Sequence, residues 1–397
     1  MQKISLTMIV KNEEKFLERC LESVAPWVDE IVIVDTGSTD TTKEIAAKFT
    51  KNIYDFTWVD DYSAARNFAI EKATGDWIFR LDAGDIVPED LGQRLRILVS
   101  GAHEDVGCFL TEYRSVEVNA QILHRTSLFR KHPDIYFIHT VHEQLIIGSF
   151  KARNIQLFIL EDRPMLTKEA ENKKFLYYSK LLEKDLLKFP NDCAVLFHYA
   201  MSLISLKRFS EAEDIIHKFL RSEWQKKLYA DMAAHALGWL IHFRIIDGED
   251  HGIEKIIETA LLDFPDNPMI LWKTGEFYLR HNRTTEALQI LSTFLHITYE
   301  EPPHLCQEIM YTYWRFQRLA EAYYQNNSFK EANDLLEAIL ERYPVAIPTL
   351  ETLSLTQAQL GNTKKSAQYT KKFTSLLAKE EKDSKSLLYI LHAIRPL

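Results

Sequence analysis

The sequence predicts an α/β domain built on a mixed, largely parallel sheet, followed by an all-α helical repeat domain. Apolar runs alternate with helical patterns over about the first 100 residues, which is the mark of parallel crossover units. β-rich runs take over between residues 106 and 160, and from about residue 169 long helical patterns replace every strand signal. The expected division is 1–165 and 166–397.

The elements follow in order. ISLTMIV (4–10) is a buried strand. EEKFLERCLESV (13–24) places Phe16, Leu17, Cys20, Leu21 and Val24 at helical spacing. IVIV (31–34) is a second strand, and a helix near 40–49 has Ser38, Thr39 and Asp40 as cap candidates. NIYDF (52–56), the helix SAARNFAIEKA (63–73) and the strand DWIFRL (76–81) continue the alternation. CFLTEYRSVEV (108–118), ILHRTSLFR (122–130) and IQLFIL (155–160) are expected to add antiparallel strands to the same sheet.

The helical region repeats. Pro190 and Pro265 are each followed 22 residues later by an alanine, Ala212 and Ala287; Pro344 is followed 23 later by Ala367, and Ala332 lies 35 before Ala367. A small residue where two helices meet and a proline at each junction describe about five stacked helical pairs with a concave face.

Composition narrows the function. The 397 residues are 46% hydrophobic and 26% charged, with a net charge of −9. Residues 1–165 carry 19 Lys+Arg against 26 Asp+Glu, a balance that argues against a phosphate backbone as ligand and for a site recruiting a divalent cation. Cys20, Cys108, Cys193 and Cys306 have no metal-type spacing and read as free thiols in a reducing compartment. The first apolar run is cut by Lys11, Glu13 and Glu14, and no run approaches the roughly 18–20 residues of a membrane helix. A cytoplasmic protein is expected.

Three strands end in polar, turn-prone, acidic clusters: Lys11-Asn12-Glu13-Glu14, Asp35-Thr36-Gly37-Ser38-Thr39-Asp40 and Asp82-Ala83-Gly84-Asp85. The carboxyl edge of an open α/β sheet is where ligands bind. On the residues alone, Asp35 with Ser38, or Asn12, has a plain helix-capping alternative. Arg66 has an exposed ion pair with Asp61, Arg130 a structural ion pair, and His142-Glu143 a satisfied surface pair.

The motifs MIVKNEE (8–14), DEIVIVDTGSTDTT (29–42), WVDDYSAARNFAI (58–70), GDWIFRLDAGD (75–85) and LFRKHPDIYFIHTVHEQ (128–144) occur in that order. Together they resemble the family 2 glycosyltransferases of GT-A fold, in the subgroup carrying tetratricopeptide repeats behind the catalytic domain. The resemblance implies a nucleotide-sugar donor, usually a UDP-sugar, and a divalent cation, Mn²⁺ or Mg²⁺. It places Asn12, Glu13, Asp35, Thr36, Asp40, Asp61, Arg66, Asn67, Asp82, Ala83 and Arg130 around the donor. Asp82, Asp85 and His142 become the metal ligands, and Glu143 the base that deprotonates the acceptor. His139 is a second histidine candidate. Two departures stand out: Gly84 occupies the place of the second acid of the DxD signature, and Leu160-Glu161-Asp162-Arg163-Pro164 lacks the subgroup's histidine and Gly-Tyr.

The implied reaction is an inverting sugar transfer. The helical repeats favour a protein or peptide acceptor, with a saccharide or lipid-linked acceptor as the alternative. A non-catalytic peptide-binding scaffold with a degenerate transferase domain is the reading from another class. A homo-oligomer is compatible with either.

Overall fold

The computed structural model describes residues 2–115, 120–161, 167–222, 229–247, 252–296, 313–344 and 346–380. Cys306, residues 116–118 and Asp162-Arg163-Pro164 lie outside them. The chain divides into two compact units, Met1–Ala212 and Glu213–Leu397.

The first unit contains β1 (Ile4–Val10), β2 (Glu30–Asp35), β3 (Ile53–Asp55), β4 (Trp77–Arg80), β5 (Asp85–Ile86), β6 (Val106–Ser115), β7 (Ala120–Arg130), β8 (Tyr136–Ile138), β9 (Gln144–Ile146) and β10 (Lys151–Glu161). Eight of these form one sheet in the order β3-β2-β1-β4-β7-β6-β10-β5, while β8 and β9 make a separate hairpin. The pairs among β3, β2, β1 and β4 are parallel, and β7 runs antiparallel to both β4 and β6. One expectation changes here: β10 pairs parallel with β6, because β7 ends and β10 begins at the same end of the sheet, beside the start of β6, with the hairpin β8–β9 between them in sequence.

Period-two alternation decides which residues meet which face. Ile4, Leu6, Met8 and Val10 of β1, Ile31 and Ile33 of β2, and Trp77 and Phe79 of β4 point into one core with Leu17, Cys20, Leu21, Leu91 and Leu95. Val32 and Ile78 point into the other with Cys108, Phe129 and Phe137. The covering helices are α1 (Leu17–Val24), α2 (Thr42–Ala47), α3 (Tyr62–Lys72) and α4 (Glu89–Gly101). α1 starts four residues later than its apolar spacing predicts, since Asn12 adopts a left-handed φ of 55° and the chain turns before it coils.

The helical elements are α5 (Lys168–Lys188), α6 (Cys193–Ser205), α7 (Phe209–Leu220), α8 (Ala230–Asp247), α9 (Ile253–Asp263), α10 (Pro268–Arg280), α11 (Thr284–Ser292), α12 (Arg315–Gln325), α13 (Phe329–Arg342), α14 (Ile347–Gln359) and α15 (Thr363–Glu380). Two turns recur among them. Lys207, Asn282, Asn327 and Gly361 each take a left-handed φ two residues before the second helix of a pair. The next residue's N–H then reaches back five positions, as from Arg208 to Leu203 and from Asn362 to Gln357, which is the closing bond of a Schellman cap. At the proline junctions Asp192, Asn267 and Ala346 donate to the carbonyl three residues earlier. Ala212, Ala287 and Ala332 are fully buried where helices approach; Ala367 is exposed. Cys20, Cys108 and Cys193 are buried and not joined in disulfides, and among the described residues no helix is long and apolar enough to cross a membrane.

Candidate functional site

The first two strand ends are laced together by short polar side chains. Thr36 donates from N and Oγ1 to the carbonyl of Val10 (2.9 and 3.1 Å), and Asn12 accepts from the Thr39 amide at 2.8 Å while its own amide donates to Ser38 Oγ at 2.9 Å. The Glu13 amide donates to Thr42 Oγ1 (2.7 Å), and Asp40 accepts from the amides of Glu14 (3.2 Å) and Thr42 (3.0 Å). Asn12 thus locks two loops rather than capping α1. Asp35 is buried at the end of β2. Its Oδ2 accepts from the amides of Gly37 (3.1 Å) and Ser38 (3.0 Å), a local turn made possible by Gly37 at φ 103°. Its Oδ1 is buried with no hydrogen-bond partner. A buried carboxylate oxygen without a donor is costly, and a ligand N–H or O–H relieves that cost.

The third strand end is an arginine cluster. Arg66, buried on α3, donates from Nη2 to Asp82 Oδ1 (3.1 Å) and from Nε to Glu143 Oε1. Asp82 Oδ2 also accepts from Arg80 Nη2 (3.2 Å) and Arg125 Nη1 (3.4 Å). Arg66 therefore fixes the distance between two carboxylates that are 61 residues apart in sequence. Burial raises the Asp82 carboxyl, but Arg80, Arg66 and Arg125 outweigh it and hold it well below the usual range. Glu143 follows the same balance, with burial opposed chiefly by Arg66, so it is ionised at neutral pH. Arg125 reaches the cluster because Ser127 is an extra residue in β7 opposite β6, a bulge that re-aims the strand.

Asp85 faces inward. It is 1% exposed, and its Oδ2 accepts from the Asp82 amide (2.7 Å) and Tyr113 Oη (3.3 Å), which continues to Ser127 Oγ (3.2 Å). Burial first, then the neighbouring Asp82 charge, pushes its carboxyl up to about 7.

Glu143 sits on a turn with two left-handed residues, His139 (φ 73°) and His142 (φ 53°). The turn is held from both sides. Tyr62 of α3 donates its amide to the Thr140 carbonyl (2.9 Å), and Asp185 of α5 accepts from Thr140 N (2.7 Å) and Oγ1 (2.9 Å). His142 stacks on His198 of α6 with ring centroids 4.0 Å apart and planes 7° apart, and meets Tyr178 of α5 edge-on at 5.4 Å. Burial lowers His142 to about 4, opposed by Glu143 and aided by Lys174; burial, His142 and His139 lower His198 well below its usual value. Two neutral imidazoles stack without repulsion.

The sign of the resulting pH dependence follows. Below an ordinary histidine pKa of about 6.5 the unfolded chain binds protons that the folded rings refuse, so stability present above pH 6.5 drains as pH falls toward 4. Denaturant titrations at pH 7.5, 5.5 and 4.5 are expected to show this loss, and His198→Phe is expected to shrink it. An unchanged slope in that variant refutes the assignment.

The remaining expected residues hold structure. Asp61 is the N-cap of α3, accepting from the Ala64 amide at 2.9 Å, and forms no ion pair with Arg66. Asn67 clamps β8 by accepting from Phe137 N (2.8 Å) and donating to Phe137 O (2.9 Å). Ala83 is buried. Arg130 is not brought to the site: it pairs opposite Trp77 at the start of β4, donates to the carbonyls of Val106 and His103, and covers the Trp77 ring at 4.6 Å. Among the described residues no three His, Cys, Asp or Glu side chains converge as a metal site. The expected set of Asp82, Asp85 and His142 fails because Asp82 is covered by guanidiniums, Asp85 is turned inward and His142 is occupied by its stack.

Residues 5–159 match the family model described as Glycosyl transferase family 2, and residues 316–344 match a tetratricopeptide repeat. The sheet domain is a family 2 glycosyltransferase domain. A TPR repeat-containing protein of Synechococcus elongatus is 40% identical over 145 residues, 36% of this chain and 35% of that one. The SPbeta prophage-derived glycosyltransferase SunS of Bacillus subtilis is 28% identical over 222 residues, 46% of this chain and 50% of that one. This chain's matches thus span a third to a half of these curated relatives. Among solved structures, glucosyl-3-phosphoglycerate synthase from Mycobacterium tuberculosis, in complex with Mn²⁺ and UDP-glucose, aligns at 17% identity and a TM-score of 0.35. That alignment covers 46% of this chain and 78% of that one.

Sequence reasoning missed Arg80 and Arg125 in the sheet domain, and Tyr178 and His198 on α5 and α6. Arg80 had a visible signal, a charge closing the otherwise apolar strand WIFRL. Arg125 had none, because its aim depends on a bulge.

Proposed function

We propose that this chain is an inverting glycosyltransferase that moves a sugar from a nucleoside-diphosphate sugar, with uridine the first base to test, to a protein or peptide held by the helical repeats. The observation that carries the reading is Arg66, which ties Glu143 and Asp82 together at the carboxyl edge of the sheet. In this reading Asp35 Oδ1 takes a hydrogen bond from the nucleoside. Glu143, ionised at neutral pH, removes the acceptor's proton as that atom attacks the anomeric carbon. The bond to the diphosphate breaks on the opposite side, and the leaving oxygen keeps the electron pair. A divalent cation, implied by the family, does not fit the carboxylates present, and no step is routed through one. The protein works in the cytoplasm in this reading.

A screen of nucleotide-sugars by thermal shift and hydrolysis tests it. One donor is expected to raise the melting temperature and release nucleoside diphosphate; silence across the panel sinks the proposal. Transfer of labelled sugar into a protease-sensitive product supports the peptide acceptor, and label confined to a lipid or saccharide extract overturns that part.

A further inference from the structure

We propose that Arg80 and Arg125 neutralise the donor's diphosphate in the place where this family uses a divalent cation, so that donor binding needs no metal. The inference rests on reading this edge as the nucleotide-sugar site.

Three observations carry it. Gly84 supplies no side chain where a second acid is expected, and Asp85 is 1% exposed and committed to the Asp82 amide and Tyr113. Both oxygens of Asp82 accept from guanidiniums, Oδ1 from Arg66 and Oδ2 from Arg80 and Arg125. A cation arriving at Asp82 has to displace them and enters a cluster of three guanidiniums against Asp82 and Glu143. Even with Asp85 ionised that cluster is neutral, the same balance as two acids already loaded with a dication. A neutral cluster offers a dication no net attraction to offset the hydration it gives up.

The third observation concerns unused donors. Arg80 Nε is buried without a hydrogen-bond partner. Arg125 spends one N–H on Asp82 at 3.4 Å, and its plane rests 4.4 Å over the Tyr113 ring. Asp82 keeps 31% of its side chain exposed and Arg125 25%, so both guanidinium and carboxylate meet solvent at the same place. Guanidinium forks match phosphate oxygens two at a time and are held flat by stacking. A diphosphate entering here replaces Asp82 as the acceptor for Arg80 and Arg125, while Arg66 stays with the two carboxylates.

The test is calorimetric binding of UDP, with ADP, GDP, CDP and TDP in parallel, to the full chain in EDTA and in Mn²⁺. The expected result is one diphosphate whose affinity is the same in both buffers. Arg80→Gln and Arg125→Gln are each expected to weaken it by roughly 10–100-fold, the loss of a charge-assisted contact, while the affinity for the matching free nucleoside stays unchanged. Arg125→Lys, which keeps the charge and loses the fork, is expected to fall between. Binding that appears only with Mn²⁺ overturns this inference and leaves the proposed function standing. Parent-like diphosphate affinity in both glutamine variants also overturns it. Failure of every nucleoside diphosphate in both buffers overturns the function and this inference together. The EDTA comparison on the unaltered chain decides the matter even if a variant does not fold.

Discussion

Glu143→Gln is expected to lower sugar transfer by roughly 10²–10⁴-fold, the usual contribution of a positioned base, with nucleoside-diphosphate affinity close to that of the parent chain. Glutamine keeps the shape, and its Oε1 still accepts from Arg66 Nε, so the turn from His139 to Glu143 and the Asp82 contact are retained. What disappears is the ability to hold a proton taken from the acceptor. Because Arg66 and Arg80 keep Glu143 below the ordinary carboxyl range, the parent's transfer rate is expected to be flat through neutral pH and to fall only in acid, as the base becomes protonated. Acceptor-dependent release of nucleoside diphosphate measures both effects. Near-parent turnover by the variant would falsify the assignment of Glu143, and a rate limb near pH 7 would point to a different base.

Arg66→Met carries the largest expected effect on stability. The guanidinium side chain is 8% exposed and serves Asp82 and Glu143, the latter 14% exposed. Removing one member of a buried ionic group leaves the others charged and desolvated, at a cost of about 3–5 kcal/mol. Methionine fills much of the volume, so lost packing is a minor part. The sign with pH is distinctive. In the parent, the depressed carboxyl pKa values add stability above the ordinary carboxylate range, which is lost as pH falls through the folded values. In the variant Asp82 keeps Arg80 and Arg125, but Glu143 loses its guanidinium partner and its carboxyl is raised instead, so the deficit is expected to be larger at pH 7 than at pH 5. Urea unfolding at the two pH values measures it. A deficit below about 1 kcal/mol, the scale of an exposed pair, or one independent of pH, argues that Arg66 does not bridge the carboxylates in solution.

Much of the sheet was legible because strand order near the N-terminus is a local matter. β1 is the predicted ISLTMIV to the residue, and β2, β3, α3 and β4 fall within two residues of expectation. Each is an apolar run bounded by turn chemistry, and such a run has one way to bury itself. α4 was missed although its signals are local: Glu89 and Asp90 open the first turn after Pro88, and Leu91, Leu95 and Val99 recur at helical spacing into the core. The parallel pairing of β10 with β6 depends on a hairpin and two turns whose route no local pattern specifies.

The site divides the same way. Acidic clusters at three strand ends located the edge, and Arg66, Asp82 and Glu143 do come together there. Arg130, Asn67 and Asp61 carried the same motif-level signal, yet the first lies at the far end of β4 and the others clamp and cap. A motif records which residues travel together, not which way each side chain faces.

By itself, then, the sequence determined the α/β part followed by an all-α part, the acidic ends of three strands and the absence of a second acid at Gly84, because alternation, turn residues and a missing side chain are local facts. Only the tertiary structure decided that Asp85 faces inward, that three arginines converge on Asp82, and that α5 and α6 support the turn bearing Glu143. Those outcomes rest on a bulge, a register and contacts across tens of residues, where the direction of a side chain is set by whatever the rest of the chain packs against it.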